Sequence, residues 1–165
     1  MRIRPTMIRH LDNEMTQALL LGQEIQRPSM TYPPIVGQAM RTTFCFYYRA
    51  LLEFFHNGRR DLIANARDPQ KNALLVRHLL PAGTDLGITP TIYEKRRFLA
   101  ADILTAHLSS HRIKYEKLAQ GWGCWKDQLA LKRRIQSLMD KVPNSGKLFP
   151  HTRAALTKNE VPPTM

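Results

Sequence analysis

The stretch from Gln38 to His56, QAMRTTFCFYYRALLEFFH, decides the fold of this chain. Apolar and aromatic residues occur on nearly every side of a helix drawn through it, a pattern typical of a helix that other helices surround. One polar seam interrupts them, because Arg49, Glu53 and His56 fall at positions i, i+4 and i+7 of one face. The stretch therefore predicts a central buried helix that carries either a satisfied polar network or a functional site.

The rest of the chain also shows helical patterns and no pattern typical of a strand. Periodic apolar residues or helix-start signals mark five further segments: 13–26, 61–66, 69–80, 91–109 and 125–141. Thr91 and Glu94 have the spacing of a capping box at the start of one of them. We predict an all-α bundle of four to six helices around residues 38–56. It forms a single domain over residues 1–142, and a loosely ordered or disordered tail follows over 143–165.

The sequence also predicts where the first helix begins and which face of the helix over 91–109 is buried. The first helix is expected to begin with Asp12 or Asn13 as its cap. The helix over 91–109 is expected to bury one stripe of residues, namely Leu99, Ile103 and Ala106.

Composition excludes several classes of protein. No apolar run approaches the roughly 18 residues of a membrane span, since Arg49 and Glu53 interrupt the best candidate, so no membrane partner is predicted. The first ten residues, MRIRPTMIRH, are basic but lack the apolar core of a signal peptide. Cys45 and Cys124 lie far apart and neither has a Cys-x-x-Cys partner, so structural zinc and disulfides are not expected. A cytoplasmic location follows by default.

The charge of the chain favours a polyanionic partner. The formal net charge is +12, and residues 112–153 hold ten Lys and Arg against three acidic residues. Basic asymmetry of this kind favours nucleic acid, although a solvated surface that keeps the protein soluble explains it too. The residues expected to contact nucleic acid are Arg112, Lys132, Arg133 and Arg134.

Four residues of the two long apolar helices are candidates for chemistry. If those helices pack antiparallel, His107 approaches Arg49 or Glu53, and Asp102 lies near His107 on its own helix. A carboxylate beside an imidazole fixes its tautomer and raises its pKa, as suits a general acid or base. The alternative is a buried histidine with satisfied hydrogen bonds. No phosphate-binding loop or nucleophile elbow is present. His107 and His111 have a spacing that suits one metal ion, but no third ligand is evident, so no cofactor and no metal are predicted.

Two segments resemble a known group of proteins. YRALLEFF at 48–55, and DILTAHLS at 102–109 with Arg112 after it, resemble segments of small uncharacterised bacterial helical proteins. The resemblance covers roughly residues 38–140. That group is similar in outline to HEPN domains, helical bundles that often act as metal-independent ribonucleases in toxin–antitoxin and phage-defence systems.

The resemblance implies a function and a set of roles. It implies RNA rather than DNA as the partner, and a homodimer with the Arg and His sites at its interface. In such a site His moves protons for attack by a ribose 2′-hydroxyl, while Arg stabilises the anionic phosphorane. Here Ala101 occupies the position expected for that arginine, so the motif for a ribonuclease is incomplete. The alternative function is a non-catalytic interaction module, whose basic C-terminal helix binds nucleic acid or an acidic protein.

Overall fold

Helices provide the regular structure throughout the described part of the chain. The structure, a computed structural model, describes residues 3–27, 32–56, 62, 74–106 and 124–157. Within these ranges there is no strand, which confirms the predicted all-α bundle. The elements in chain order are α1 (Pro5–Glu24), α2 (Pro34–Phe55), a 3₁₀ turn (Val76–His78), α3 (Ile92–Ala106), α4 (Cys124–Lys141), α5 (Ser145–Leu148) and α6 (Pro150–Thr157).

Helix α2 lies at the centre, in contact with α1, α3 and α4. Phe44, Leu51 and Phe55 are buried in the core, as the sequence predicted, because they share one face at i, i+7 and i+11. Phe46 points elsewhere and is 48% exposed. The buried residues of helix α2 thus lie from Phe44 to Phe55, whereas none of its first ten residues is buried.

Helix α1 starts eight residues before the predicted Asn13. Pro5 occupies its first turn, where the missing amide hydrogen costs nothing. Asp12 therefore lies in the middle of the helix instead of capping it, and its side chain is buried beside Leu11 and Met15. A carboxylate in such a place needs donors from another part of the chain.

Those donors come from α6, which the sequence placed in a loosely ordered tail. Asp12 Oδ1 accepts hydrogen bonds from the Thr152 amide at 2.9 Å and the Thr152 hydroxyl at 2.7 Å, and Oδ2 accepts from the His151 amide at 3.3 Å. Phe149 and Leu156 are buried on the same side. The tail prediction is therefore wrong for residues 145–157; residues 158–165 lie outside the described part.

Helix α3 confirms one local prediction and corrects another. The capping box is present, since the Thr91 amide donates to Glu94 and the Glu94 amide donates to the Thr91 hydroxyl. The predicted stripe is wrong at Leu99, which is 42% exposed, and the side chains of Ile103 and Ala106 lie outside the described part. The buried side of α3 instead carries Glu94, Phe98, Ala101 and Asp102, which repeat at i, i+4, i+7 and i+8.

The connection between α2 and α3 was predicted to hold two helices. Of the first, over 61–66, the structure describes only Leu62. Of the second, over 69–80, it describes the last seven residues, which form only the 3₁₀ turn over Val76–His78. Pro81 follows and disfavours a helical conformation at the residue before it. Across the ranges described, no helix has the length and apolarity that crossing a membrane requires.

Candidate functional site

Two of the four predicted catalytic residues meet across α2 and α3. Arg49 Nε lies 2.7 Å from Asp102 Oδ1, and both side chains are largely buried. The two helices run antiparallel, because His56 at the other end of α2 lies close to Glu94 and Lys95. His107 is outside the described residues, so its predicted approach to Arg49 or Glu53 stays a prediction.

Glu53 lines a different feature, a cleft of about 300 Å³ between α1 and α2. His10 and Glu14 of α1 also line it, with His10 Nε2 3.9 Å from Glu14 Oε1. Burial raises the pKa of Glu14, and the nearby His10 opposes that rise. Among the residues described, no three His, Cys, Asp or Glu side chains come together as metal ligands.

The predicted basic contacts of α4 divide into an inner and an outer group. Arg133 is exposed and Lys132 is half-buried. Arg134 is only 5% exposed, and its Nε and Nη2 donate to Glu94 Oε1 at 2.9 and 2.5 Å. The prediction that Arg134 contacts a phosphate is therefore wrong, since the side chain is buried and its Nε and Nη2 donate to a buried carboxylate. Arg112 lies outside the described residues.

Glu94 joins the cap of α3 to this bridge. Its Oε1 accepts from Arg134, while its Oε2 accepts from the Thr91 amide at 2.9 Å and the Thr91 hydroxyl at 3.1 Å. Burial alone raises the pKa of Glu94, but the hydrogen bonds from Arg134 and Thr91 outweigh it and hold the pKa below its ordinary value. The carboxylate is charged at neutral pH and fixes α3 to α4.

A second bridge joins the same two helices. Arg97 Nε lies 3.5 Å from Asp127 Oδ2 and donates to the Tyr93 hydroxyl at 2.9 Å. Because Glu94 pairs with Arg134 while Arg97 pairs with Asp127, α3 and α4 are antiparallel. Tyr48 of α2 is buried beside this bridge; burial first, then the charges of Asp127 and Glu94, raise its pKa, so its hydroxyl stays protonated.

The spacing of the charged residues relative to the apolar residues of α4 predicts that these charges are buried. On α4, Asp127 and Arg134 fall on the same face as three buried apolar residues, Leu131, Ile135 and Leu138. The run Lys132-Arg133-Arg134 predicted a basic surface by composition alone. The helical period of 3.6 residues, in contrast, places Arg134 on the buried face of α4 and Arg133 on the exposed face.

His56 is the last residue of the polar seam and lies at the C-terminal end of α2. It is buried at the end of α2, near Arg134. Burial and, after it, the positive charge of Arg134 lower the pKa of His56 to about 4. The imidazole is therefore neutral at physiological pH.

Outside these two bridges, α3 and α4 carry exposed aromatic and basic side chains. Trp125 is 49% exposed and Tyr93 is 39% exposed, with the Arg97 guanidinium carbon 5.2 Å from the centre of the Tyr93 ring. Four exposed cations each stand next in sequence to a bridge residue: Lys95, Arg96, Lys126 and Arg133. We call these six residues (Tyr93, Lys95, Arg96, Trp125, Lys126 and Arg133) the α3–α4 surface.

The α3–α4 surface and the Arg49–Asp102 pair are thus the two features that carry candidate function. The first can stack bases and neutralise phosphates, and the second holds a guanidinium in a fixed position. Comparison of the chain with protein-family models, with curated proteins and with solved structures found no match to any of them.

Proposed function

We propose that this chain is a HEPN-like helical domain of the cytoplasm that engages single-stranded RNA through the α3–α4 surface. The observation that supports this proposal is the exposure of Trp125 and Tyr93 among four exposed cations. Large aromatic side chains gain free energy when they are covered, and the Arg97 guanidinium already lies over the Tyr93 ring.

Each component of this surface suits a flexible polyanion. An exposed indole or phenol ring offers a face on which an unpaired base stacks, worth about 1–3 kcal/mol per base. The cations Lys95, Arg96, Lys126 and Arg133 suit the phosphates between the bases. The bridges Glu94–Arg134 and Arg97–Asp127 hold the two helices together, so the surface is ordered before RNA arrives.

The proposal includes metal-independent cleavage, as the resemblance implies. In that reaction the ribose 2′-oxygen attacks the adjacent phosphorus and the 5′-oxygen leaves, with His107 moving the protons. Asp102 orients the Arg49 guanidinium at 2.7 Å, which would place a fixed positive charge near a substrate phosphate. A homodimer, also implied by the resemblance, would bring two such sites together.

A binding measurement tests the RNA proposal. We expect a labelled 12-nucleotide single-stranded RNA to bind with an affinity that falls steeply between 50 and 400 mM KCl. Trp125→Ala should weaken binding about 5- to 150-fold, because one base no longer has a ring to stack on. Arg133→Glu should reduce the salt slope by about 0.7 for each phosphate that the protein no longer neutralises.

The matched control is Arg4→Glu, the same charge change at an exposed residue that precedes α1. It should leave the affinity within about twofold. Equal weakening by Arg4→Glu and Arg133→Glu would show that only net charge matters, and binding that ignores Trp125 would sink the proposed surface.

Cleavage is tested separately from binding. Incubation of the RNA with wild type in the presence of EDTA should release products, and His107→Ala should abolish them while leaving RNA affinity and the melting temperature unchanged. Intact RNA after incubation with a folded wild type would remove the catalytic part and leave the binding part standing.

A non-catalytic interaction module is the second candidate, and one observation favours it. The interior arginines Arg49, Arg97 and Arg134 each pair with a carboxylate, so packing alone accounts for their charges. Salt-dependent RNA binding without cleavage is the outcome expected for such a module.

A further inference from the structure

A second concave feature lies between α1, the 3₁₀ turn, α5 and the start of α6. It is an open cleft of about 650 Å³. Its lining is mostly apolar, with contributions from Ile3, Ile8, Leu79, Val142, Leu148 and Pro150. A volume in the range of about 300–1,000 Å³ with a mainly apolar lining is typical of sites for small molecules.

Two cations stand on this apolar lining. Arg9 of α1 and Lys147 of α5 both line the cleft and are exposed. Among the residues described, neither has a carboxylate within ion-pair distance. Their charges are therefore available to a bound anion.

The one acidic residue in the lining does not oppose an anion strongly. Asp12 has both oxygens occupied by donors from His151 and Thr152 at the start of α6. Its charge is balanced by the amide end of that helix. Leaving the histidines out of the count, Arg9 and Lys147 outnumber Asp12 and give the lining a formal charge of +1.

A polar donor of fixed direction completes the lining. His78 Nδ1 accepts a hydrogen bond from the Leu75 amide at 3.0 Å, so the proton of the neutral ring is on Nε2. Burial, together with the charge of Arg77, lowers the pKa of His78 and keeps the ring neutral at pH 7. The imidazole thus has an N–H group to offer to a ligand oxygen.

We propose that this cleft binds a small amphiphile, composed of an apolar body and a single anionic headgroup, a carboxylate or a phosphate monoester. The apolar body would lie along Ile8, Leu79 and Leu148, and the headgroup would meet Arg9 and Lys147. Guanidinium and ammonium groups pair with either kind of anion. The site shares no residue with the α3–α4 surface, so it stands or falls independently of RNA binding.

Calorimetric titration with four probes tests this proposal. Decanoate and decyl phosphate carry both parts of the ligand, 1-decanol carries only the apolar body, and inorganic phosphate carries only the charge. We expect at least one of the two amphiphiles to bind at least tenfold more tightly than decanol and phosphate. The better of the two identifies the headgroup. Decanol binding as tightly as both amphiphiles, or no binding of either, would overturn the proposal.

Variants locate the binding. Arg9→Glu combined with Lys147→Glu should weaken the better amphiphile at least tenfold, and Leu148→Asn should weaken it several-fold without changing the charge. Arg133→Glu is the control, because it makes the same kind of charge change on the α3–α4 surface, and it should leave amphiphile affinity unchanged. Equal weakening by Arg133→Glu would show non-specific attraction and sink the proposal, whatever the outcome with RNA. All four residues are exposed, and melting temperatures verify that each variant is folded.

Discussion

Single ionisable residues in the interior of this bundle are held in one protonation state each. Glu94 is kept charged by Arg134 and Thr91, whereas His56 and Tyr48 are kept neutral by burial and by the charges around them. Each of these states is the one in which the group fits its surroundings. A change of pH that forces a different state must weaken the fold.

His56 predicts the sign of that dependence. The unfolded chain binds a proton at this residue near pH 6.5, whereas the folded chain binds it only near pH 4. Between these values the unfolded state holds more protons, so the free energy of unfolding falls as the pH falls. Urea denaturation should show a decrease of about 2 kcal/mol between pH 7 and pH 5 from this residue alone.

The comparison of two histidine variants isolates this contribution. His56→Gln should remove most of the slope between pH 7 and pH 5. His10→Gln, the same change at a side chain that is 80% exposed, should keep it. A wild type whose stability is flat over this interval would contradict the lowered pKa.

Among the elements, the short helix α6 contributes to the stability of the fold through both hydrogen bonds and apolar burial. Its eight residues supply the donors for Asp12, and Thr152, Ala155 and Leu156 are buried against the bundle. Removing α6 therefore exposes an apolar surface of α1 and also removes the hydrogen-bond donors of Asp12. Both effects act in the same direction.

Truncation measures the contribution of α6. A chain that ends at Phe149 should lose at least about 3 kcal/mol of unfolding free energy, since burying Leu156 is worth about 1.5–3 kcal/mol and a hydrogen bond to a charged group a similar amount. A chain that ends at Thr157 keeps α6 and is the reference for this loss. Equal stability of the two chains would mean that α6 is only loosely attached.

The helices were predictable from the sequence where the segment has a strong apolar pattern or a capping motif, and not where it has neither. The core of α2 followed from its apolar run, and the capping box at Thr91 followed from spacing. The segment around Pro150 shows no strong period in its eight residues, so its helix depends on a contact with Asp12, 140 positions away along the chain. Long-range contacts of this kind leave no local signal.

The candidate site was predictable to a similar degree. Arg49 and Asp102 lie on apolar helices, which makes them conspicuous, and the ion pair between them follows from antiparallel packing. The bridge from Arg134 to α3 was not predicted, because the basic composition of its run conceals its place on the buried face. Trp125 lies at the start of α4, and sequence does not tell whether such a residue faces the core or the solvent.

The whole molecule carries a net charge of +12, and its acidic residues are partly consumed by interior bridges. The exposed cations therefore repel one another across the surface, which destabilises the compact state. Salt shortens the range of this repulsion, from about 30 Å at 10 mM to about 3 Å at 1 M. The buried bridges are screened much less.

Thermal unfolding in NaCl tests this balance. Raising NaCl from 10 mM to 500 mM should raise the melting temperature by about 2–4 °C, which corresponds to about 1 kcal/mol for a chain of this size. The doubly substituted chain with Arg4→Gln and Arg133→Gln, which has two charges fewer, should show a smaller rise. A melting temperature that falls with salt would mean that surface ion pairs outweigh the repulsion.

The hydrogen bonds between Asp12 and Thr152 also bear on the order in which the protein is made. They join residues 140 positions apart, so at about 5–20 residues per second a ribosome needs about 7–28 s to synthesise the intervening chain. For that time α1 exists with its carboxylate still in water and its apolar face without α6. Of the helices described, α6 leaves the ribosome last, and it is the one that completes the surroundings of α1. Until α6 has been made, the uncovered face of α1 remains open to chaperones.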